Sequence, residues 1–391
     1  MKIISCLFVL VLSISAYTVP LQQNVQTCER SAYPPDDKDA VSTYIVNLDL
    51  SPLQRWAPLM KEKGPMLHAL VEDVKDLLLS VVGEKIFKFL MNCLDKLGTT
   101  LPYPYYEEVV GIGAYSNLPT STVVLYNIFY EAFTLCTSIV AQDPNGHVYH
   151  ARTLDTGLFL GWDRKNKTWK VAELLHPLTV QLNFTKNGVT IFQSTSFAGY
   201  VGVLTGVRKD KFSLSVDKRF SLNGGMVGLL EWILFNDHNQ SWVSFLTREV
   251  MQEANDYNVA KELLSETRLL APVYFILAGT KAGEGSVITR DRSNANVLEL
   301  GSNKNGSGSW YLVQTNYDHW KTPPFFDDRR TPANRCMMEG GQKNVSFNLL
   351  YNVLSTKPVL NKESIYTSLM SAKTGKLHSW LRYCPDPCWP W

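Results

Sequence analysis

The chain has 391 residues, with 38 basic and 36 acidic side chains and a formal net charge of +2 at pH 7. Hydrophobic residues make up 45% of the chain and charged residues 19%, which is typical of a globular protein with a full apolar core. The nearly balanced charge argues against a nucleic-acid-binding protein, which would carry a clustered basic face. The length allows one large domain or two of ordinary size.

The first residues, MKIISCLFVLVLSISA, contain one lysine, an apolar stretch and then small residues. This order is typical of a secretory signal peptide cut near Ala16, and the apolar run is too short to be a transmembrane helix. Five Asn-x-Ser/Thr sequons agree with the secretory route; they are Asn166, Asn183, Asn239, Asn305 and Asn344. Together these features predict a glycoprotein of the secretory pathway.

Seven cysteines are present, and removal of Cys6 with the signal peptide leaves six. In an oxidising compartment all six would by default form disulfides, with a pairing that spacing alone does not fix. The segment Cys384-Pro-Asp-Pro-Cys388 has no second Cys/His pair at a spacing that suits zinc. We therefore predict no metal site, and no motif in the chain predicts a cofactor.

The hydrophobic pattern divides the chain into a helical first part and a β-rich second part. A short strand is predicted at residues 44–48, and apolar residues at three- and four-residue steps between Met66 and Leu97 predict an amphipathic helix. We interpret its apolar stripe as core, with a lipid-facing helix as the alternative. Further helical patterns cover residues 119–134, 226–235, 241–253 and 258–268, among short apolar segments with turn signals. This order favours sheets covered by helices.

The stretch that begins at Cys136 predicts a tight β-hairpin. The segment DPNG at residues 143–146 has proline at the first central position of a type I turn, followed by glycine where a left-handed residue is needed. A three-residue loop of this kind sets Ser138 opposite Arg152. Because side chains alternate along a strand, Cys136, Ser138 and Arg152 then share one face of the sheet.

This face has the chemistry of a nucleophilic site, because a neighbouring guanidinium lowers the pKa of a thiol. Asp155 follows closely and is placed to orient Arg152 or to hold a nearby ammonium group. The two histidines of the hairpin, His147 and His150, lie further along it than Cys136, so no histidine partner for the thiol is obvious. The α-amine released by a cut before Cys136 is a candidate base. A disulfide-bonded or merely buried strand cysteine is the alternative interpretation.

Residues 136–156, CTSIVAQDPNGHVYHARTLDT, resemble the acid ceramidases. Further blocks that carry the resemblance are FLGWD (159–163), SFAGYVGVLTG (196–206), GEGSVITRDR (283–292), VQTNYDHW (313–320), FFDDRRTPA (325–333), VLSTKPVLN (353–361) and CPDPC (384–388). The resemblance covers nearly the whole chain after the predicted signal peptide. The N-acylethanolamine-hydrolysing acid amidases share the general pattern.

The resemblance implies an N-terminal-nucleophile hydrolase of the α+β class, with a four-layer αββα sandwich and a mainly helical N-terminal α-subunit. It also implies a precursor that cleaves itself between Leu135 and Cys136. The chain would then divide into a signal peptide (1–16), the α-subunit (17–135) and a catalytic β-subunit (136–391).

The resemblance further implies which cysteines pair. A disulfide between Cys28 and Cys336 would join the two subunits, and one between Cys384 and Cys388 would close a small ring. Cys136 would stay free. The sixth cysteine, Cys93, has no counterpart in the family and is interpreted as a buried apolar thiol.

By the same resemblance, Cys136 would be the nucleophile and, through its new amine, the general base. The other implied site residues are Arg152, Asp155, Asn316, which would stabilise the oxyanion, and Arg329. Some family members carry an acidic residue at the position of Lys218. The adjacent Asp217 should point to the opposite face of its strand, so a role for this carboxylate is left open. Lys218 is interpreted as a solvated surface residue at least as readily as a functional one.

The activity that the resemblance implies is hydrolysis of the ceramide amide to sphingosine and a free fatty acid, in the lysosome, with secretion as a second destination. Substrates of this kind, ceramide and related N-acyl lipids, reside in membranes. The expected partners are therefore an anionic membrane surface or a saposin-type lipid presenter, and net positive charge should rise at acid pH. The alternatives are an N-acylethanolamine acid amidase and a non-catalytic lipid-binding glycoprotein that keeps its precursor form.

Overall fold

The computed structural model describes residues 27–132, 135–157, 161–219, 232, 239–302 and 310–388. The predicted signal peptide, the sequon Asn305 and nearly all of the helical pattern at 226–235 lie outside the described residues, as does the side chain of Cys93. No helix within the described ranges is both long and apolar enough to cross a membrane.

Helices dominate the chain before Cys136 and return between and after the strands that follow. In chain order, the α-helices of the described ranges are α1 (Ala57–Val82), α2 (Glu84–Gly98), α3 (Tyr105–Ser116), α4 (Thr120–Ala132), α5 (Lys170–Leu175), α6 (Val243–Glu253), α7 (Tyr257–Glu266), α8 (Arg330–Gly340) and α9 (Phe347–Ser355). The predicted helix between Met66 and Leu97 is therefore two helices. Gly83 separates them at φ +77°, a backbone conformation that favours glycine. Leu67 and Leu70 of the apolar stripe are buried in the core.

Within the described residues, strands form two large sheets and one small hairpin. The larger sheet has the order β1 (Thr43–Asn47), β6 (Thr179–Lys186), β7 (Val189–Phe197), β8 (Thr205–Arg208), β9 (Phe212–Lys218), β10 (Val273–Ala278), β11 (Gly285–Arg290) and β12 (Ala295–Glu299). The smaller sheet has the order β13 (Tyr311–Gln314), β2 (Leu135–Gln142), β3 (Val148–Asp155), β14 (Ser364–Ser371) and β15 (Lys376–Leu381). The hairpin pairs β4 (Trp162–Asp163) with β5 (Thr168–Trp169). The predicted strand at 44–48 is β1, which pairs in parallel with β6.

The hairpin of β2 and β3 has the register that its turn predicts. Ser138 pairs with Arg152 and Cys136 pairs with Leu154. The loop is closed by the amide of Asp143, which donates to the carbonyl of His147 at 3.0 Å, and Gly146 takes φ +81°. The predicted register is therefore confirmed, and local turn chemistry explains it.

The two large sheets pack face to face, and helices cover both outer faces. Val140 and Val148 of the smaller sheet meet Tyr274 and Ile276 of the larger one in an apolar layer between the sheets. On the outer face of the smaller sheet, residues such as Ile139 contact a cluster formed with α8 and α9. The outer face of the larger sheet packs on α6, α7 and the N-terminal helices. This is the expected four-layer αββα arrangement.

Two disulfides join the cysteines that the resemblance pairs. Cys28 bonds to Cys336 in α8 across a sequence separation of 308 residues. Cys384 bonds to Cys388 and closes a short ring. Among the described residues Cys136 is a free and buried cysteine, which removes the disulfide alternative for this position.

Candidate active site

The structure brings the five predicted site residues together where the ends of β2 and β3 meet the start of α8. Three belong to the β2–β3 hairpin, one follows β13 and one immediately precedes α8. All five are fully buried; they are Cys136, Arg152, Asp155, Asn316 and Arg329. Residues far apart in the sequence therefore converge because strand ends from one sheet meet the start of a helix that covers it.

The Cys136 thiol lies against the Arg152 guanidinium. Nη2 of Arg152 is 2.7 Å from Sγ of Cys136, which agrees with the shared face predicted for the hairpin. The other terminal nitrogen, Nη1, donates to the hydroxyl oxygens of Thr205 at 2.8 Å and Tyr366 at 3.1 Å. These partners from β8 and β14 fix the direction in which the guanidinium points.

Both backbone polar groups of Cys136 are held by site residues. Its N–H donates to Oδ1 of Asn316 at 2.9 Å, and its carbonyl accepts from Nη1 of Arg329 at 2.6 Å. Oδ1 of Asn316 also accepts from Nη2 of Arg329 at 2.7 Å, and the Asn316 amide donates to the carbonyl of Lys218 at 2.8 Å. The backbone at the predicted cleavage point is thereby clamped between an amide and a guanidinium.

Two residues that the sequence reasoning missed hold Arg329 in place. Asp327 accepts from Nε of Arg329 at 2.7 Å and from Nη2 at 3.0 Å, a bidentate geometry that fixes the guanidinium plane. Tyr317 donates to the same carboxylate at 2.9 Å. Although burial opposes it, the negative charges of Asp327 and Asp155 raise the pKa of Arg329 above its usual range. Tyr317 and Asp327 lie in the same motif blocks as Asn316 and Arg329, within two residues of them. This proximity is the sequence signal that could have identified both residues.

Asp155 contacts Arg329 and not Arg152. Of its two expected roles, the orientation of Arg152 is therefore wrong. Its Oδ2 lies 3.5 Å from Nη1 of Arg329. It also accepts hydrogen bonds from Asn361 at 3.1 Å and from Ser364 at 2.7 Å. Three positions separate Asp155 from Arg152, so strand alternation turns them to opposite faces. Burial raises the pKa of Asp155, and the charge of Arg329 opposes that shift.

The carboxylate that contacts Arg152 is Asp217, which the sequence reasoning had left without a role. Oδ1 of Asp217 lies 3.3 Å from Nη2 of Arg152 and accepts from the Ser138 hydroxyl at 2.9 Å. The register of β9 turns Asp217 into the space between the sheets and Lys218 away from it. Lys218 is half-buried, and burial lowers its pKa to about 8. Lys218 is therefore not a solvated surface residue.

Burial sets the ionisation of the thiol while the chain is intact. It raises the pKa of Cys136 to about 12, with the charge of Arg152 opposing the shift and that of Asp217 adding to it. The uncut chain therefore holds a protonated thiol beside a clamped peptide and a fixed positive charge. This arrangement suits acyl transfer to sulfur once the thiol proton is removed.

Comparisons with known proteins agree with this geometry. Residues 136–333 match a family model described as linear amide C-N hydrolases, choloylglycine hydrolase family. Residues 39–101 match a model described as the beta subunit of N-acylethanolamine-hydrolyzing acid amidase. A solved structure of the Caenorhabditis elegans N-acylethanolamine-hydrolyzing acid amidase ortholog aligns with 35% identity and a TM-score of 0.53, over 63% of this chain and 100% of that one.

Curated relatives match over almost the full length. Acid ceramidase of Homo sapiens is 48% identical over 371 residues, which is 94% of this chain and 93% of the relative. The Pan troglodytes protein gives the same figures, and the Mus musculus protein is 47% identical over the same span. With this identity and coverage, the chain belongs to the acid ceramidase family of linear amide C–N hydrolases.

Proposed function

We propose that this protein hydrolyses the amide bond of ceramide to sphingosine and a free fatty acid, with Cys136 as the nucleophile. The observation that carries the proposal is the clamp at Cys136. Its thiol lies 2.7 Å from Nη2 of Arg152, and its backbone N–H and carbonyl are held by Asn316 and Arg329. The family membership supplies the substrate class, since relatives at 48% identity are named acid ceramidases.

The first step of the proposal is self-cleavage before Cys136. Sγ of Cys136 attacks the carbonyl carbon of Leu135 and loses its proton. The C–N bond to Cys136 breaks, the nitrogen takes up a proton, and Leu135 remains as a thioester on sulfur. Water then hydrolyses the thioester. The products are an α-subunit ending at Leu135 and a β-subunit that begins with Cys136 and carries a free α-amine.

The mature enzyme then uses the released α-amine as the base. The amine takes the proton of Sγ, as N-terminal amines do for their own nucleophiles. The thiolate attacks the ceramide carbonyl, and the developing oxyanion is stabilised by donors from Asn316 and Arg329. The sphingosine nitrogen takes a proton and leaves, and water releases the fatty acid from the thioester. Asp155 supports this step by fixing Arg329.

N-terminal sequencing and turnover assays test the proposal together. Purified protein kept at acid pH should yield a fragment that begins with Cys136, and the Cys136→Ala variant should stay uncut and inactive. A matched control is a Cys384→Ala/Cys388→Ala variant, which removes two cysteines away from the site and should still be cut. An uncleaved wild type with full activity would contradict the mechanism.

A second candidate function is hydrolysis of N-acylethanolamines. The match of residues 39–101 to a subunit of such an amidase favours it, as does the likeness to the C. elegans structure. Turnover of ceramide and N-palmitoylethanolamine by the same preparation decides between the two substrates. A clear preference for the ethanolamide would replace ceramide in the proposal without changing the chemistry at Cys136.

We also infer that the enzyme meets its substrate at a lipid surface. The segment between Asn316 and Arg329 exposes two large aromatic side chains, with Trp320 47% and Phe325 72% exposed. Aromatic side chains favour membrane interfaces, and the exposed Lys321 nearby suits anionic lipid. The partner is an anionic membrane or a saposin-type lipid presenter. Because this segment connects two site residues, contact with lipid would bring substrate close to Cys136.

The cellular location proposed is the lysosome, reached by the secretory route. Three sequons carry exposed asparagines in the structure, namely Asn166, Asn239 and Asn344. Asn183 differs, since it lies within β6 and its Oδ1 accepts from Gln193 at 3.1 Å. We therefore expect glycans at the exposed sites first. Glycosidase treatment followed by mass spectrometry of tryptic peptides tests each site separately.

A further inference from the structure

The buried carboxylate of Asp217 shares one nitrogen of Arg152 with the candidate nucleophile. Nη2 of Arg152 lies 2.7 Å from Sγ of Cys136 and 3.3 Å from Oδ1 of Asp217. All three side chains are fully buried. A thiolate and a carboxylate at these positions would therefore compete for the same positive charge in a space without solvent.

The other groups around Asp217 leave Arg152 as its main counter-ion. Ser138 donates to Oδ1 at 2.9 Å, while Oδ2 is buried with no partner in the part of the chain that the structure describes. Tyr274, opposite on β10, donates instead to Asp318 at 2.7 Å. Among the described residues, the other titratable groups on this face are Cys136 on β2, His150 on β3 and Tyr366 on β14. Two further charges act from outside this face: Arg329, before α8, on Asp217, and Asp155, on the opposite face of β3, on Cys136.

We propose that Asp217 is a positioning residue that acts through Arg152 and ties the reactivity of Cys136 to acid pH. When Asp217 is ionised, it draws on the charge of Arg152 and repels a neighbouring thiolate. When Asp217 is protonated, Arg152 acts on Cys136 alone and the thiolate is favoured. The inference rests on Cys136 being the nucleophile, as proposed above.

The carboxyl group of Asp217 should change its ionisation between the pH of an acidic compartment and neutral pH. Burial raises the pKa of Asp217 to about 6, although Arg152 and the Ser138 hydroxyl favour the ionised form. The carboxyl group would therefore be mainly neutral in an acidic compartment and mainly ionised at neutral pH. Because each group shifts the other, the two titrate as a coupled pair rather than independently.

Alkylation of the thiol tests the inference without any substrate. Self-cleaved wild type and the Asp217→Asn variant are treated with iodoacetamide between about pH 4.5 and pH 7, and the rate of Cys136 modification is measured. We expect equal rates at the acid end and a variant about tenfold faster at pH 7, which corresponds to a thiol pKa difference of about one. The ratio of kcat/KM values for variant and wild type should rise in the same way.

Two matched variants sharpen the result. Ser213→Ala disturbs the same buried polar region at His150, where Nδ1 lies 3.0 Å from the Ser213 hydroxyl, and should keep the wild-type pH profile. Asp217→Glu retains the charge and should also keep the profile. If the asparagine variant does not accumulate as folded protein, Asp217→Ser replaces it as the neutral variant.

Defined outcomes overturn the inference. A rate ratio that stays near one across the pH range means that Asp217 does not control the thiol. A folded Asp217→Asn enzyme that is inactive at every pH means that the carboxylate is required in another way. If neither neutral variant folds, the pH dependence of Cys136 alkylation in wild type decides. An alkylation rate that rises tenfold per pH unit from about pH 5 to pH 7 contradicts the coupling. A rate that flattens near pH 6 supports it. Failure of ceramide turnover alone would leave the alkylation result intact and would count against the proposed substrate only.

Discussion

The Arg329 guanidinium donates a hydrogen bond to the carbonyl oxygen of Cys136 at 2.6 Å, across 193 residues of sequence. Together with the Asn316 bond to the Cys136 N–H, it holds both backbone polar groups of the residue that the proposed cleavage would make N-terminal. The same contacts would hold the new amine and the thiol close to an incoming substrate.

Asn316 should matter more for turnover than for stability. Replacing it with alanine removes an amide that contacts both Cys136 and Arg329. Loss of one oxyanion donor typically lowers kcat by about 10²–10³. Steady-state turnover of ceramide by Asn316→Ala, beside an Asn294→Ala control in an exposed turn, measures the effect. Equal turnover by the two variants would remove Asn316 from the proposed mechanism.

Arg329 should be a large contributor to stability. Arg329→Met would leave the buried carboxylates of Asp327 and Asp155 without their shared counter-ion. Breaking a buried pair in this way costs about 3–5 kcal/mol of unfolding free energy. Urea unfolding of the variant gives the value.

The control for Arg329 is a surface arginine. Arg335 pairs with Glu339 at 3.7 Å on the exposed side of α8, and such pairs contribute only about 0–1 kcal/mol. Arg335→Met should therefore unfold at nearly the wild-type urea concentration. A similar loss in both variants would show that burial of the pair is not what matters.

The Cys28–Cys336 disulfide should hold the cleaved pieces together. After cleavage before Cys136, wild type should run as one band on a non-reducing gel and as two bands after reduction. In a Cys28→Ser/Cys336→Ser variant, two bands should appear without reduction.

Non-covalent contacts should still join the pieces of that variant under native conditions. Glu108 of α3 is buried and accepts from Arg55 at 2.8 Å and from Arg248 of α6 at 3.4 Å, so this cluster spans the cleavage point. Native gel filtration should therefore give a single species. Separation of the subunits on the column would show that the disulfide alone joins them.

His150 should lower stability in acid. It is buried between the hydroxyls of Ser213 and Ser215, and burial lowers its pKa from the usual 6.5 to about 3. The pKa of His150 is lower in the folded state than in the unfolded state. The stability of the fold that depends on a neutral His150 is therefore fully present above pH 6.5 and is lost as the pH falls toward 3. At about pH 4.5 the loss is about 3 kcal/mol.

Comparing unfolding free energies at pH 7 and pH 4.5 in wild type and His150→Gln checks this value. The glutamine side chain does not titrate, so the variant should lose less stability than wild type between the two pH values. Because other groups titrate in both proteins, the difference between the two losses isolates His150. An identical loss in both proteins would rule out this role of the histidine.

Trp320 and Phe325 should be needed for lipid binding and not for chemistry. A Trp320→Ala/Phe325→Ala variant should bind vesicles containing anionic lipid less tightly, because it lacks exposed aromatic surface beside the site. Turnover of a detergent-dispersed, short-chain ceramide should change little. Vesicle co-sedimentation at acid pH measures binding, with Val189→Ala as an exposed apolar control on β7. Unchanged binding by the double variant would exclude this segment as the lipid contact.

Much of the site follows from local sequence. The DPNG turn sets the register of β2 and β3, because turn geometry and strand alternation are short-range properties. Cys136 and Arg152 are therefore neighbours in any fold that keeps this hairpin. Asn316 and Arg329 were assigned to the same site by the motif blocks of the family resemblance. Hydrophobic periodicity alone gives no reason to place them beside Cys136.

The remaining contacts were decided by how the two sheets and the covering helices stack. The partner of Arg152 is Asp217 from the facing sheet, and the partners of Arg329 are Asp327 and Asp155. The sequence by itself determined which residues carry charge and how the hairpin is aligned. Only the tertiary structure decided which carboxylate meets which guanidinium, because buried ion pairs form across layers whose relative position depends on the packing of the whole core.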